Sequence, residues 1–444
     1  MKKRVTHFLK STVAASAIAF ALLIPVVVGG AGMAVDVATA YLVQARLSHA
    51  LDAAALAGGA AQAHGEGLQE AVERFFNKNY PPEKIGATYD LSVAEVNERI
   101  EVSGRAYFNT AFMRFLGIDR LNVHASSQVT KPTRNIELAM VLDVTGSMSG
   151  SRISELRAAA NDLVDIIVQD SQTPAYSKIA IVPYSMGVNV GTYATQVRGS
   201  YTNGSTCTSP GCQYYRFRNP SGDQRTLQIS SCVSERSGAE AYTDAPPTDG
   251  LIGRNYASSG NPCLTNRIVP LTSNKTTLHN SINNLVAAGS TAGHIGTAWG
   301  WYMVSPNFGY LWADNESRPA PYGEEDLVKV VVLMTDGDYN TAYCRGVIAQ
   351  DSGTGSGSNT DKINCNATNG SPFSQAQQLC TAMKDAGVIV YTVGFDVANL
   401  QGARDVMANC ATDANHAYFA DDGDELQQAF RDIARNVLSI YLSR

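Results

Sequence analysis

The sequence has little charge, and the charge it has is not gathered on one face. Charged residues make up 17% of the 444 positions, below the roughly 25% expected of a soluble globular domain. The formal net charge is −6, and the absence of a basic stripe argues against a nucleic-acid-binding protein. Hydrophobic residues make up 44%, enough to form real cores, and the length suggests two or three folded units.

Cysteine is absent from the first 206 residues, and no CxxC pair occurs in the chain. The eight cysteines have loop-like spacings, so we expect disulfides in an oxidising compartment rather than a zinc site. Connectivity cannot be deduced from sequence alone. The expected pairs are Cys344–Cys365, Cys380–Cys410, Cys232–Cys263 and Cys207–Cys212.

Acidic residues are absent from the N-terminus as far as Val35. Four basic residues within positions 1–10 precede the uncharged stretch Ser11–Val35, which as a helix is ~38 Å long and exceeds a bilayer core of ~30 Å. We therefore expect a transmembrane helix over 11–35, a cytoplasmic tail over 1–10, and the rest of the chain outside the inner membrane. The alternative is a signal peptide cleaved near Ala38–Ala40, although its apolar core would normally span only ~7–15 residues.

The next hundred residues predict a helical extension followed by a small α+β unit. Residues 36–65 are rich in Ala and Leu, and Leu42, Leu47, Leu51 and Leu56 are expected roughly on one side of a helix. That helix is either a simple stalk or a pilin-like helix that packs through small residues. Residues 66–134 form the small unit, with a short helix and three strands. The strands are predicted at Ala87–Val96, Arg99–Tyr107 and Leu121–Val129.

Residues 135–444 predict an α/β domain. Apolar runs such as Glu137–Asp143 and Val328–Thr335 alternate with amphipathic helices, a pattern typical of a doubly wound, mostly parallel sheet with helices on both faces. Two polar segments, 191–272 and 339–372, interrupt the alternation. Since loops of this length are unusual unless they are functional or cross-linked, we interpret both as disulfide-pinned insertions.

Oxygen-bearing side chains follow two of the predicted strands. Asp143, Thr145 and Ser147 come after the first strand, Asp336 follows the later one, and Thr291 lies in a glycine-flanked loop between them. Ligands of open parallel sheets bind outside the carboxyl ends of the strands. Two carboxylates and three hydroxyls make an all-oxygen site suited to a hard cation such as Mg²⁺, with Mn²⁺ or Ca²⁺ as alternatives. The simpler alternative is that Asp143 caps a helix and Asp336 belongs to an ordinary turn.

These motifs, DVTGSM, GST and VVLMTDG, resemble the metal-ion-dependent adhesion site (MIDAS) of von Willebrand factor A domains. Thr145 stands where the family motif has a serine and keeps the hydroxyl. The resemblance implies that Thr145, Ser147 and Thr291 bind the ion, that Asp143 and Asp336 hold its water molecules, and that an acidic residue of a protein partner completes the coordination shell.

A wider resemblance covers the whole chain. The basic N-terminus, the span AIAFALLIPVVVGGAGMAVDVATAYLVQARLSHALDAAALAGG and the later segment TAGHIGTAWGWYMVSP are similar to TadG-type proteins of the tight-adherence (Flp) pilus assembly group. Relatives processed by a prepilin peptidase generally carry a glycine before an acidic residue near the span. Since no acid lies between Met1 and Val35, we do not expect such processing.

Three functions are weighed. The first is a membrane-anchored pilus assembly or adhesion component whose A domain binds a partner carboxylate through the cation. The second is a cell-envelope scaffold in which the cation is purely structural. The third, an enzyme using the ion as a Lewis acid, is not expected, because the motifs contain no general base beyond the acids that would hold water. A nucleophilic hydrolase is not expected either, because GxSxG is absent and Ser147 has no matching His-Asp set. His294, Asp338 and the segment AWGWY are expected to have structural roles.

Overall fold

The computed structural model describes residues 12–63, 67–81, 86–96, 99–130, 134–170, 172–173, 175–200, 202–206, 212–353 and 358–439. The chain divides into two compact units. Among the described residues, the N-terminal unit comprises those up to Thr130, and the α/β unit comprises those from Arg134 to Ser439.

The N-terminal unit contains a long helix, a short helix and three strands. The strands form an antiparallel sheet in the order β1-β2-β3. The elements are α1 (Thr12–Ala63), α2 (Leu68–Asn79), β1 (Ala87–Val96), β2 (Arg99–Asn109) and β3 (Arg120–Thr130).

The second half of α1 packs on this sheet. Its buried side chains recur at three- and four-residue spacing, as expected for one face of a helix, and belong to the same apolar cluster as Ile100 and Val102 of β2. Leu47 and Leu51 lie in this stripe, whereas Leu42 and Leu56 are exposed. The expectation that all four leucines share a side was wrong, because their spacings of five, four and five residues drift around the helix.

Helix α1 also contains an apolar stretch with the length and composition of a membrane span. Among the described residues one such stretch is found, Val26–Gly58, and its N-terminal half is mostly exposed. The helix is continuous from Thr12 to Ala63 and includes Pro25. Residues 1–10 and Ser11, at the start of the predicted span, lie outside the described residues.

The α/β unit is a mixed fold around an 11-stranded sheet. Its elements are β4 (Asn135–Asp143), α3 (Ser151–Ile167), β5 (Ser177–Tyr184), β6 (Val188–Asn189), α4 (Ala194–Arg198), β7 (Thr202–Thr206), β8 (Cys212–Arg218), β9 (Gln224–Ser234), β10 (Gly253–Ala257), β11 (Val269–Thr272), α5 (Lys275–Asn283), α6 (Gly293–Val304), β12 (Leu327–Thr335), β13 (Tyr343–Cys344), β14 (Val347–Ile348), α7 (Pro372–Asp385), β15 (Ile389–Phe395), α8 (Gln401–Cys410), β16 (Ala417–Ala420) and α9 (Gly423–Ser439).

Five parallel strands form one side of this sheet, in the order β16-β15-β12-β4-β5. Their side chains alternate between two apolar clusters. Ala139 and Val141 of β4 pack with α6, α7 and α8 on one face, while Leu138 and Met140 pack with α3, α5 and α9 on the other. Burial of both faces explains why these strands read as continuous apolar runs.

The segment predicted as a polar insertion at 191–272 extends this sheet. Strand β6 pairs antiparallel with β5, and β9, β8 and β7 follow in order, while β10 pairs with β9 and β11 with β5. Alternating patterns along β8 and β9 were too weak to reveal these strands in the sequence. The second insertion, 339–372, contributes the small hairpin β13-β14.

Three disulfides cross-link the α/β unit, and each joins two cysteines that were expected to pair. The bridges are Cys232–Cys263, Cys344–Cys365 and Cys380–Cys410, with Cα–Cα distances of 5.6, 6.1 and 5.0 Å respectively. The remaining expected pair, Cys207–Cys212, lies outside the described residues, because Cys207 and the side chain of Cys212 are not among them.

Candidate metal centre

Two neighbouring parallel strands bring the candidate acids to one edge of the sheet. Strand β4 ends at Asp143, and β12 ends at Thr335, directly before Asp336. The two strands pair in parallel, with Leu333 opposite Val141. Their carboxyl ends therefore lie side by side, as the sequence pattern predicts for a sheet of this kind.

A hydrogen-bonded chain connects the side chains that follow these strands. The Ser147 hydroxyl donates to Asp336 Oδ1 over 2.7 Å. Thr145 Oγ1 lies 2.9 Å from Ser147 Oγ, again at hydrogen-bond distance. Because Gly146–Met148 form a 3-10 turn, the two hydroxyls at alternate positions lie next to each other.

Asp143 is fully buried behind this turn. Its Oδ1 accepts a hydrogen bond from the backbone N–H of Thr145 over 2.9 Å. Its Oδ2 accepts from the hydroxyls of Tyr184 (3.0 Å) and Thr335 (2.8 Å). The carboxylate is thereby fixed in orientation by donors from the turn and from both neighbouring strands.

The two acids lie in an environment that penalises their charge. Burial raises the pKa of Asp143, and the neighbouring charge of Asp336 raises it further, while hydrogen bonds from Thr145 and Thr335 lower it. Burial also raises the pKa of Asp336, against the opposing effects of the Ser147 hydroxyl and the Arg152 guanidinium. A bound divalent cation favours the ionised form of such carboxylates.

Thr291 reaches the same edge through the loop between α5 and α6. The backbone N–H of Gly146 donates to the carbonyl oxygen of Gly289 over 2.9 Å, which ties this loop to the Thr145–Ser147 turn. Thr291 itself is buried, and its N–H donates to Asn340 Oδ1 over 3.0 Å. Hydrogen bonds therefore connect Asp143, Thr145, Ser147 and Asp336 in one chain. The fifth candidate, Thr291, is connected to it through Gly289, two residues earlier in its loop.

The donor set fits a hard cation on chemical grounds. It consists of carboxylate and hydroxyl oxygens, which are the ligands that Mg²⁺ and Ca²⁺ prefer. It contains two acids, and no group of three or more His, Cys, Asp or Glu side chains suited to a metal ion occurs within the described ranges. A site built here would therefore depend on neutral hydroxyls for much of its coordination.

Sequence reasoning missed two charged residues at this edge. Arg152 Nη1 lies 3.2 Å from Asp336 Oδ2, and its Nη2 pairs with Asp396. Two signals were available in the sequence. Arginine in the first turn of a helix opposes the helix dipole and so suggests an acidic partner, and Asp396 directly follows the apolar strand β15. Asp396 also has a φ of 52°, an uncommon conformation for a residue other than glycine.

The other candidates from the sequence lie in structural surroundings. His294 is buried in α6, with Nε2 3.6 Å from Glu235 Oε2. Asp338 Oδ1 accepts from the backbone N–H of Ala403 over 2.8 Å, near the start of α8. Trp301 is buried and donates from Nε1 to the Tyr322 hydroxyl over 2.9 Å. These contacts stabilise the elements around the edge.

One family model matches the N-terminus. Residues 14–62, almost the whole of α1, match the family described as putative Flp pilus-assembly TadE/G-like. The match covers a small part of the chain and supports a role related to pilus assembly. A comparison with curated proteins found no match.

Solved structures with a similar arrangement include pilus proteins. The von Willebrand factor domain of the type V pilus tip protein Mfa5 from Porphyromonas gingivalis has 12% identity and a TM-score of 0.40, covering 70% of this chain and 97% of that one. The pilus adhesin SpaC from Lactobacillus rhamnosus GG has 14% identity and a TM-score of 0.36, over 80% and 35%.

The pilus adhesin RrgA from Streptococcus pneumoniae has 11% identity and a TM-score of 0.36, over 78% of this chain and 49% of that one. This chain thus spans about a third to a half of the two full adhesins. A likeness this distant does not assign a function.

Proposed function

We propose that this chain is an exported, single-pass membrane protein of pilus assembly or adhesion. In this proposal residues 11–35 cross the inner membrane, the N-terminus is cytoplasmic, and both units lie on the other side. The family match over residues 14–62 and the apolar character of α1 support the anchor. The three disulfides support an oxidising compartment.

We further propose that the α/β unit is a von Willebrand factor A-type domain that binds one divalent cation, Mg²⁺ or in its place Mn²⁺ or Ca²⁺. Thr145, Ser147 and Thr291 bind the ion, and Asp143 and Asp336 hold its water molecules. The observation that carries this proposal is the 2.7 Å hydrogen bond between Ser147 and Asp336, which joins motifs 189 residues apart at the carboxyl ends of parallel strands.

The bound ion would supply an electron-poor position that accepts a carboxylate oxygen from a protein partner. The chain's own residues prepare this position. Asp143 is held by its three donors, and the neutral hydroxyls leave most of the ion's charge available to an incoming acid. We infer binding rather than catalysis, because the two carboxylates that a hydrolytic mechanism would use as bases are the ones that hold the ion's water molecules.

A pull-down with matched variants tests this function. Solubilised full-length protein is used as bait in Mg²⁺ and in EDTA, and captured proteins are compared for the wild type, Ser147→Ala and Ser149→Ala. Ser149 is exposed in the same stretch and lies outside the proposed ligand set, so it controls for loss of a serine. We expect capture in Mg²⁺ to be lost in EDTA and in Ser147→Ala but kept in Ser149→Ala. An identical captured set under all conditions would reject ion-mediated binding.

A purely structural cation is the second candidate. The burial of Asp143 and its bonds to Tyr184 and Thr335 favour it, because they tie the site into the core of the sheet. Asp143→Ala separates the two functions. Loss of partner capture by a variant that remains folded supports adhesion, whereas a lowered melting temperature with capture retained supports an envelope scaffold.

A further inference from the structure

The connection between β2 and β3 exposes a compact apolar surface. Four large apolar side chains within seven residues face solvent: Phe112 (39% exposed), Phe115 (78%), Leu116 (65%) and Ile118 (44%). We call residues 110–119 the apolar loop. None of the residues in its 3-10 turn, Met113–Leu116, is buried. A surface of this kind on a small unit indicates contact with an apolar partner.

The loop has a defined conformation that presents these side chains outward. The backbone N–H of Thr110 donates to the Asp119 carbonyl oxygen over 3.0 Å, and the N–H of Ile118 donates to the Met113 carbonyl oxygen over 3.2 Å. Gly117 ends the turn with a φ of 82°, a conformation that glycine adopts readily. The exposure is therefore imposed by the fold of the loop.

A buried acid fastens this loop to α1. Asp36 is almost completely buried. It accepts hydrogen bonds from the backbone N–H groups of Ala111 (2.8 Å), Phe112 (2.8 Å) and Met113 (2.6 Å). One turn earlier in α1, Gly32 leaves room for the Phe112 ring, which a Cβ would overlap. The loop is thus held against residues 32–36 of the helix.

The position of this attachment along α1 determines what the loop meets. Asp36 is the first charged residue after the uncharged stretch Ser11–Val35. Residues 12–35 of the helix extend over ~36 Å, against ~30 Å for the hydrocarbon core of a bilayer. A helix that spans the membrane with these residues places positions 32–36 at the membrane surface, and the apolar loop with them.

We propose that the apolar loop inserts into the outer surface of the bilayer that α1 crosses, with lipid as its partner. Phe115 and Leu116 enter the acyl boundary, and exposed Arg114, whose guanidinium lies 5.4 Å from the Phe115 ring centroid, reaches lipid phosphates. Aromatic and basic residues are the ones enriched at this depth. The inference rests on the membrane anchorage proposed above.

Depth-dependent quenching tests the insertion. The native tryptophans are Trp299, Trp301 and Trp312, all in the α/β unit, so Phe115→Trp adds the first tryptophan to the N-terminal unit. The matched control is Phe75→Trp. Phe75 is also exposed, but it lies on α2. The residue that follows α2, Tyr80, stacks on Arg46, which lies ten residues beyond Asp36 along α1 and so farther from the proposed membrane surface. The full-length variants are reconstituted in 3:1 phosphatidylcholine–phosphatidylglycerol vesicles, with and without brominated acyl chains.

We expect brominated lipid, compared with unbrominated lipid, to reduce the emission of Phe115→Trp by a larger fraction than that of the wild type, with the added emission blue-shifted, and to reduce the emission of Phe75→Trp by no more than that of the wild type. Equal quenching of the two variants would overturn the proposal. If neither variant is quenched, and the blue shift of Phe115→Trp disappears when the protein is diluted, the lipid proposal is refuted and the apolar loop contacts a second copy of the chain instead.

Flotation of the wild type with the vesicles separates this inference from the anchor. A chain that floats and resists alkaline extraction but shows no quenching at position 115 refutes the loop insertion alone. A chain that does not float refutes both the anchor and the loop insertion.

Discussion

Replacing Asp143 by Asn is expected to stabilise the cation-free protein and to abolish its stabilisation by Mg²⁺. The side chain is buried, and the nearby charge of Asp336 opposes its ionisation. Repulsion between two neighbouring buried carboxylates amounts to about 2–3 kcal/mol at an effective dielectric constant of about 20. Asparagine removes this repulsion with almost no change in volume.

The hydrogen bonds around position 143 can be retained in this variant. The Tyr184 hydroxyl lies 3.0 Å from Asp143 Oδ2 and 3.1 Å from the Met334 carbonyl oxygen. It can therefore donate to Met334 and accept from the new amide. The Thr335 hydroxyl can likewise donate to the Gly337 carbonyl oxygen, 3.0 Å away, and accept from the new amide. The gain from removing the charge is therefore not offset by a lost donor or acceptor.

Tryptophan fluorescence during heating is the appropriate assay, because all three tryptophans report on the α/β unit. In EDTA we expect the melting temperature of Asp143→Asn to exceed that of the wild type by about 4 °C, from about 2 kcal/mol at about 2 °C per kcal/mol. At Mg²⁺ one hundred times the dissociation constant, the wild type gains about 2.7 kcal/mol and the variant gains nothing.

The order of stability of the two proteins therefore reverses between EDTA and Mg²⁺. A variant that is less stable than the wild type in EDTA would show that the two acids are not in electrostatic conflict. A variant that gains as much from Mg²⁺ as the wild type would show that Asp143 does not hold the ion.

Three further predictions concern other contacts. Arg152→Gln should tighten Mg²⁺ binding about fivefold in calorimetry, because a partly exposed ion pair of about 1 kcal/mol no longer competes for Asp336; unchanged or weaker binding contradicts this. Asp36→Ala should speed tryptic cleavage after Arg114 at least about fivefold, since three backbone donors lose their acceptor; an unchanged rate contradicts the attachment. The double variant Cys380→Ser, Cys410→Ser should lower the unfolding free energy of the α/β unit by about 3–4 kcal/mol, from the 30-residue separation of the bridge; a loss below about 1 kcal/mol contradicts this.

The sequence predicts strands best where apolar residues alternate with polar ones or form an unbroken run. The strands Ala87–Val96 and Arg99–Asn109 begin at the residues expected from alternation, and the latter extends two residues further. Strands buried on both faces were recognisable as unbroken apolar runs. The direction of side chains along α1 was predicted less well. Each step of five residues, from Leu42 to Leu47 and from Leu51 to Leu56, rotates the side chain by about 140°, so Leu42 and Leu56 lie away from the face that the sheet covers.

For the candidate site, the sequence predicts which residues reach the edge of the sheet but not which strands are neighbours there. The carboxyl ends of parallel strands lie at one edge of a sheet, so the sequence predicts Asp143 and Asp336 at the same edge, although not that β4 and β12 are neighbours. The ion pair from Arg152 to Asp396 depends on β15 lying beside β12, a strand order that local patterns do not encode. The same holds for β7–β9, whose largely polar sequences form strands that continue the sheet from β5 through β6.

The most direct test of the account is a titration of the purified full-length protein with Mn²⁺, followed by electron paramagnetic resonance of the free ion. We predict one tightly bound ion per chain, displaced by Mg²⁺, with the stoichiometry falling to zero in the double variant Ser147→Ala, Asp336→Asn and remaining one in Ser149→Ala. Retention of the bound ion in the double variant, or a wild-type chain that binds none, would contradict the proposed site.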